Sequence, residues 1–140
     1  MQKSIKVLKF SELKDRIPAH SEIKGLDLVV IRYDDNISVL YGRCLHRGAL
    51  LADGHIEGKN LICGVHGWDY CVDTGVSEYN NDEVLYKFAT KIEKDIVWID
   101  EDEIDEFLVN NPQPMNYPTA SGRSIKKRII ILFRHKWRGI

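Results

Sequence analysis

The residues best suited to chemistry in this chain are cysteine and histidine, and they are few: three Cys and five His among 140 residues. Four of these eight fall in two short clusters. Cys44-Leu45-His46 is followed, after sixteen further residues, by Cys63-Gly64-Val65-His66. Each cluster offers one thiolate and one imidazole. Two such sets suit two arrangements: a single tetrahedral zinc, or a two-iron cluster with sulfur ligands on one iron and nitrogen ligands on the other. The residue types alone leave both open. Glycines stand at 48, 64 and 67 around the clusters, and glycine lets loop backbone approach a bound inorganic group closely.

The stretch CLHRGALLADGHIEGKNLICGVHGWDY reads C-x-H-x16-C-x2-H, with Gly48 after the first His and Gly67-Trp68 after the second. It resembles the Rieske [2Fe–2S] signature, and the resemblance extends over about residues 3–111. It implies an all-β fold, a small antiparallel β-sandwich with a cluster-binding subdomain of two loops. It further implies one [2Fe–2S] cluster per chain, with Cys44 and Cys63 on one iron and His46 and His66 on the other. Two ferric ions, two sulfides and two thiolates sum to no formal charge, so neutral imidazoles make an added electron easier to accept than an all-thiolate set would.

Departures within the motif tune that expectation. Respiratory members of the family carry two further cysteines, joined as a disulfide, where this chain has Ala49 and Val65, and a serine where Trp68 stands. Trp68 does not replace the serine's hydrogen bond to a bridging sulfide, whereas Tyr70 is placed to reach a cysteine sulfur. Fewer hydrogen bonds to sulfur favour the reduced state less, which points to the low end of the Rieske potential range. Cys71 reads as a small buried apolar residue and His55 as an exposed turn residue. His20 and His135 lack neighbours at ligand spacing, Arg47 reads as a surface arginine, and Trp68 reads as packing that shields the cluster.

The elements that must position these loops read as short strands between turn signals. Strands are expected over 5–10, 25–33, 37–41, 60–63, 68–72, 85–92 and 96–99. A hairpin is expected at Asp34-Asp35-Asn36, a turn at Asp73-Thr74-Gly75, and pairing across Glu93-Lys94-Asp95. Ser11 is expected to cap a short turn or helix through Lys14. Ile104, Phe107 and Leu108, amid acids, mark a C-terminal helix over 100–110 that ends before Pro112. The expected organisation is a domain over 1–111 and a poorly ordered basic extension over 112–140.

Composition bounds the partners. With 44% apolar and 29% charged residues and a net charge of −1 the chain reads as an ordinary folded domain. The charge is unevenly spread: residues 1–111 hold 13 Lys/Arg against 21 Asp/Glu, and residues 112–140 hold seven Lys/Arg and no acid. An acidic body disfavours nucleic acid and suits docking on a basic protein surface, while the basic tail suits an acidic one. The longest pure apolar run, Ile129 to Phe133, is far too short to span a membrane, and no secretion core follows Met1, so the expected location is the cytoplasm.

After His66 the chain offers only His135, so the two-His-one-carboxylate iron site of Rieske-type terminal oxygenases cannot be built, and no dinucleotide fingerprint is present. The expected activity is therefore one-electron transfer between a reductase and an acceptor redox enzyme. Two alternatives stay open. Residues 82–114 resemble the segment closing Rieske domains fused ahead of FMN-dependent glutamate-synthase-like domains, which reads the chain as a module or truncated part of a flavoenzyme. The other is a non-redox zinc protein.

Overall fold

The computed structural model describes residues 3–45, 48–65 and 67–113, and these divide after Glu101 into two units. The first holds ten strands: β1 (Ser4–Lys9), β2 (Ala19–Ile23), β3 (Leu26–Tyr33), β4 (Asn36–Tyr41), β5 (His55–Glu57), β6 (Asn60–Ile62), β7 (Asp69–Cys71), β8 (Lys87–Phe88), β9 (Thr90–Glu93) and β10 (Ile96–Asp100). They form three antiparallel sheets in the orders β1-β10-β9, β2-β3-β4-β8 and β5-β6-β7. The expected all-β antiparallel architecture is what the chain adopts.

The core runs along β3 and β4. Leu26, Leu28, Val29, Val30 and Ile31 are fully buried, and Val39, Leu40 and Tyr41 face them from the neighbouring strand. A run apolar on both faces is the mark of a central strand with packing on either side. Leu61 and Tyr70 play the same part in the small sheet, where they are cross-strand partners and fully buried.

The turns explain where the strand expectations fail. Lys24-Gly25 and Lys94-Asp95 join consecutive strands with positive φ at both residues, the two-residue hairpin whose twist matches its strands. The first opens a strand that the sequence reading lacks: Ala19–Ile23 pairs with β3 from Ala19↔Val30 to Ile23↔Leu26. The single strand expected over 85–92 divides at Ala89. Lys87–Phe88 pairs with β4, then Thr90–Glu93 pairs with β10, so the chain changes sheets there. Ser11 does not cap a helix. It lies inside a short 3-10 turn over Phe10–Glu12, and its hydroxyl and backbone N–H both donate to the Asp95 carboxylate.

The second unit holds all but the first residue of α1 (Glu101–Asn110), the helix that the periodicity predicts, with Ile104 and Phe107 buried. Asn111 ends it, donating backbone N–H and side-chain Nδ2 to the Phe107 carbonyl at 2.8 and 3.1 Å. Among the described residues no helix is long and apolar enough to cross a membrane. The basic extension lies, from Pro114 on, outside the described residues.

Candidate metal centre

Cys44 and Cys63 each open a loop of the same hydrogen-bonded form. The Cys44 N–H donates to the Ala49 carbonyl at 2.8 Å, and the Gly48 N–H returns to the Cys44 carbonyl at 2.7 Å. In the second loop the Cys63 N–H donates to the Trp68 carbonyl at 2.7 Å, and the Gly67 N–H returns to Cys63 at 2.9 Å. Both closing glycines have left-handed backbone, φ +76° at Gly48 and +68° at Gly67. That conformation costs other residues about 1–2 kcal/mol, which is why glycine stands at both places.

The loops are tied together twice. Tyr70, fully buried on β7 beside the second loop, places its hydroxyl 3.6 Å from Cys44 Sγ in the first and accepts the Leu45 N–H at 3.1 Å. With Cys44 as a thiolate the hydroxyl is the donor to sulfur. Burial, then the neighbouring Cys44 charge and hydrogen bond, push the Tyr70 ionisation far above its ordinary range, so it stays a neutral O–H donor. The second tie is backbone against backbone. A Cβ on Gly54 would stand 2.0 Å from the Ile62 carbonyl oxygen, and one on Gly64 would stand 3.0 Å from that of Asp53. The exit of the first loop therefore presses on the entry to the second, and only a residue without a side chain fits between them.

Both thiols are shut from solvent, Cys44 at 2% and Cys63 at 1% exposure, while Val65 at the second loop's tip is 67% exposed. Two buried cysteines beneath an exposed loop tip would hold a bound group by sulfur on its protein side, out of water. The other two predicted ligands, His46 and His66, lie outside the described residues, as does Arg47. Among the described residues no three His, Cys, Asp or Glu side chains gather as a metal-binding group.

Other expectations resolve individually. Trp68 is half-buried with its ring 5.2 Å from that of Tyr79, at 57° between planes. His55 is exposed and bonds Glu57. Cys71 is only half-buried, not the buried residue expected. Burial pushes its thiol up, but hydrogen bonds from the Thr74 side chain and from the Thr74 and Asp73 backbone outweigh this and leave it lowered. The sequence reading missed Arg43 and Asp27. Arg43 Nε bonds Asp27 Oδ2 at 2.9 Å, Arg43 Nη1 bonds the Gly48 carbonyl at 2.9 Å, and His20 Nε2 meets Asp27 Oδ1 at 2.8 Å. An aspartate inside the apolar run of β3 was the available signal.

Comparison with known proteins decides the family. The Rieske [2Fe–2S] domain model matches residues 3–88. The chain belongs to the Rieske [2Fe–2S] domain family. Members bind a [2Fe–2S] cluster, and the buried cysteine pair, the matched loops and the tyrosine aimed at sulfur fit such a group. Curated relatives include the phenoxybenzoate dioxygenase subunit alpha of Ectopseudomonas oleovorans, 41% identical over 64 residues, 45% of this chain and 15% of that one. Another is the 3-chlorobenzoate-3,4-dioxygenase oxygenase subunit of Comamonas testosteroni, 30% identical over 106 residues, 68% of this chain and 24% of that one. The chain thus covers less than a quarter of either relative's length. Among solved structures, a Sphingomonas yanoikuyae B1 ferredoxin superposes with TM-score 0.66 at 24% identity, covering 71% of this chain and 99% of that one. The ferredoxin of carbazole 1,9a-dioxygenase from Nocardioides aromaticivorans IC177 gives 0.65 at 18% identity, covering 70% and 97%. These last two likenesses are of fold. The association of residues 82–114 with glutamate-synthase-like proteins finds no support in these comparisons.

Proposed function

We propose that this chain carries single electrons between a reductase and an acceptor redox enzyme. Cys44 and Cys63 hold one iron of the cluster, His46 and His66 the other. When bound, the cluster supplies one reversible electron; the chain supplies its seat. The two closed loops fix the thiolates, Tyr70 donates to Cys44 sulfur across the loops, and burial of both cysteines would keep water from the iron they hold. The observation that carries this reading is the Tyr70 hydroxyl 3.6 Å from Cys44 Sγ, because it joins the two halves of the motif at a sulfur. With alanine and valine in place of the respiratory disulfide and tryptophan in place of the serine donor, the potential lies at the low end of the Rieske range.

An oxygenase is the acceptor class this reading favours. Support comes from the fold shared with the ferredoxin of a carbazole 1,9a-dioxygenase, a system in which an oxygenase–ferredoxin complex has been solved. The acidic body suits a basic docking face on that enzyme. We place the carrier in the cytoplasm, with the folded domain over 1–111 and the basic extension following. Anaerobic purification with iron and acid-labile sulfide analysis, then EPR of the reduced form, tests the reading. Two iron and two sulfide per chain with a rhombic signal of mean g below the free-electron value is the expected result; a colourless zinc protein refutes it. Alanine at Cys44, His46, Cys63 or His66 abolishes the cluster, and serine at Cys71 leaves it intact.

A further inference from the structure

The two loops share a form but not a stem. Below Cys63, β6 and β7 make three successive pairs, Asn60↔Cys71, Leu61↔Tyr70 and Ile62↔Asp69. Below Cys44 there is one isolated bridge, Arg43↔Leu50. So short a ladder holds little by itself. The first loop has a side chain in its place. The Arg43 guanidinium, 6% exposed, donates from Nη1 to the Gly48 carbonyl at 2.9 Å and from Nε to Asp27 Oδ2 at 2.9 Å. Gly48 is also the residue whose N–H closes the loop on Cys44, so both of its backbone polar groups are engaged.

The base under Arg43 is itself held from two sides. Asp27 sits in the buried run of β3, and its second carboxylate oxygen meets His20 Nε2 on β2 at 2.8 Å. The Gly42 N–H donates to the Asp27 carbonyl at 2.8 Å, and a Cβ at Gly42 would stand 2.7 Å from the Leu28 carbonyl carbon. The chain is thus pressed onto β3 immediately before Arg43. A buried ion pair is costly to desolvate and is weak evidence for stability by itself. Its position here, between the central strand and the ligand loop, is what calls for explanation.

We propose that Arg43, seated on Asp27, is the positioning residue of the first ligand loop, doing by side chain what a three-rung ladder does for the second. The proposal rests on the reading of both loops as cluster-binding. It has two separable parts. The guanidinium's planar fork holds two acceptors in one fixed geometry, which a lysine's point charge does not reproduce. Its positive charge, donated into the loop that opens at Cys44, favours the more negative reduced state.

The test uses the full chain carrying its cluster, with variants R43K and R43Q. One readout is the rate of cluster loss to a ferrous chelator, followed by visible absorbance; the other is the midpoint potential from dye titration. Both variants lose the cluster about tenfold faster, as supporting hydrogen-bond partners of metal ligands generally do. R43K keeps its reduction equilibrium constant within about twofold of wild type, whereas in R43Q it falls about tenfold, or 59 mV for one electron. A wild-type loss rate in R43K overturns the positioning part, and a wild-type potential in R43Q overturns the electrostatic part. Should R43Q not fold, the R43K loss rate alone decides. A merely structural ion pair would destabilise both variants without separating their potentials. A wild-type protein lacking iron and sulfide defeats the cluster reading; an intact wild-type cluster beside unaffected variants defeats only the role given to Arg43.

Discussion

Replacing Tyr70 with Phe removes one oxygen atom from the contact between the two ligand loops. The hydroxyl is fully buried, lies 3.6 Å from Cys44 Sγ, and accepts the Leu45 N–H at 3.1 Å. A donor to sulfur binds the more negative, reduced state more strongly than the oxidised one. Net hydrogen bonds run about 0.5–1.5 kcal/mol between neutral groups and about 1.5–3 to charged ones, so the difference between states is about 1 kcal/mol. At about 1.4 kcal/mol per 59 mV for a one-electron couple, the potential falls by about 40 mV. The same change takes the acceptor from the half-buried Leu45 N–H, costing about 0.5–1.5 kcal/mol of folding stability. Dye-linked redox titration of wild type and Y70F at equal iron content measures the first, and urea unfolding the second. An unchanged or higher potential in Y70F refutes the assignment of Tyr70 as a donor to sulfur.

Glycine substitutions separate close approach from backbone strain. G67A meets no atom within 4 Å but keeps φ +68°, and costs about 1–2 kcal/mol. G54A drives a Cβ to 2.0 Å from the Ile62 carbonyl oxygen and costs more than about 3 kcal/mol, so equal urea midpoints for the two would refute the loop-on-loop packing. Asp73 accepts from the Tyr33 hydroxyl at 2.9 Å and from Lys87, and these hold its carboxyl below the ordinary range. A carboxyl lowered on folding stabilises the protein above its unfolded value of about 3.9, and that contribution is lost as pH falls through the folded value. D73N should therefore flatten the acid limb of the stability profile below about pH 4; an unaltered limb contradicts this. H66C, if it assembles a cluster, lowers the potential because a thiolate replaces a neutral ring; a rise measured by the same titration would contradict the ligand assignment.

Much of this was readable in the amino acids because the signals were local. The Cys/His spacing needs only two segments, and the β3–β4 hairpin is two β-branched runs separated by turn formers. The misses have physical causes. Ala19–Ile23 has three polar residues in a row, His20, Ser21 and Glu22, so it shows no apolar alternation, and it is joined to β3 through Lys24, a lysine at φ +54°. The division at Ala89 leaves the apolar alternation on either side intact, so nothing in the pattern marks a change of sheet. Asp27 and Arg43 are sixteen residues apart and meet only once β3 and the first loop are packed. A charge inside an apolar run signals an unmet need for a partner, but not which partner.

That long-range pair bears on why the site needs more than its signature. The second loop grows from the β5-β6-β7 sheet, while the first leaves β4 of the larger sheet and enters the small one only at His55. The two cysteines therefore sit on loops that follow strands of different sheets, and two well-formed loops would not by themselves hold one inorganic group between them. A displacement of about 1 Å between supports is enough to spoil a preorganised site. The tie between the sheets is Tyr70, reaching from the small sheet to Cys44; Gly54 is pressed on Ile62 within the small sheet, and Arg43 fastens the first loop to Asp27 of the central strand in the larger one. Ligand spacing selects the metal chemistry. That contact between the sheets, with the two ties inside them, makes the spacing in sequence into a fixed spacing in space, and a chain that kept the four proposed ligands but lost these contacts would bind its cluster loosely.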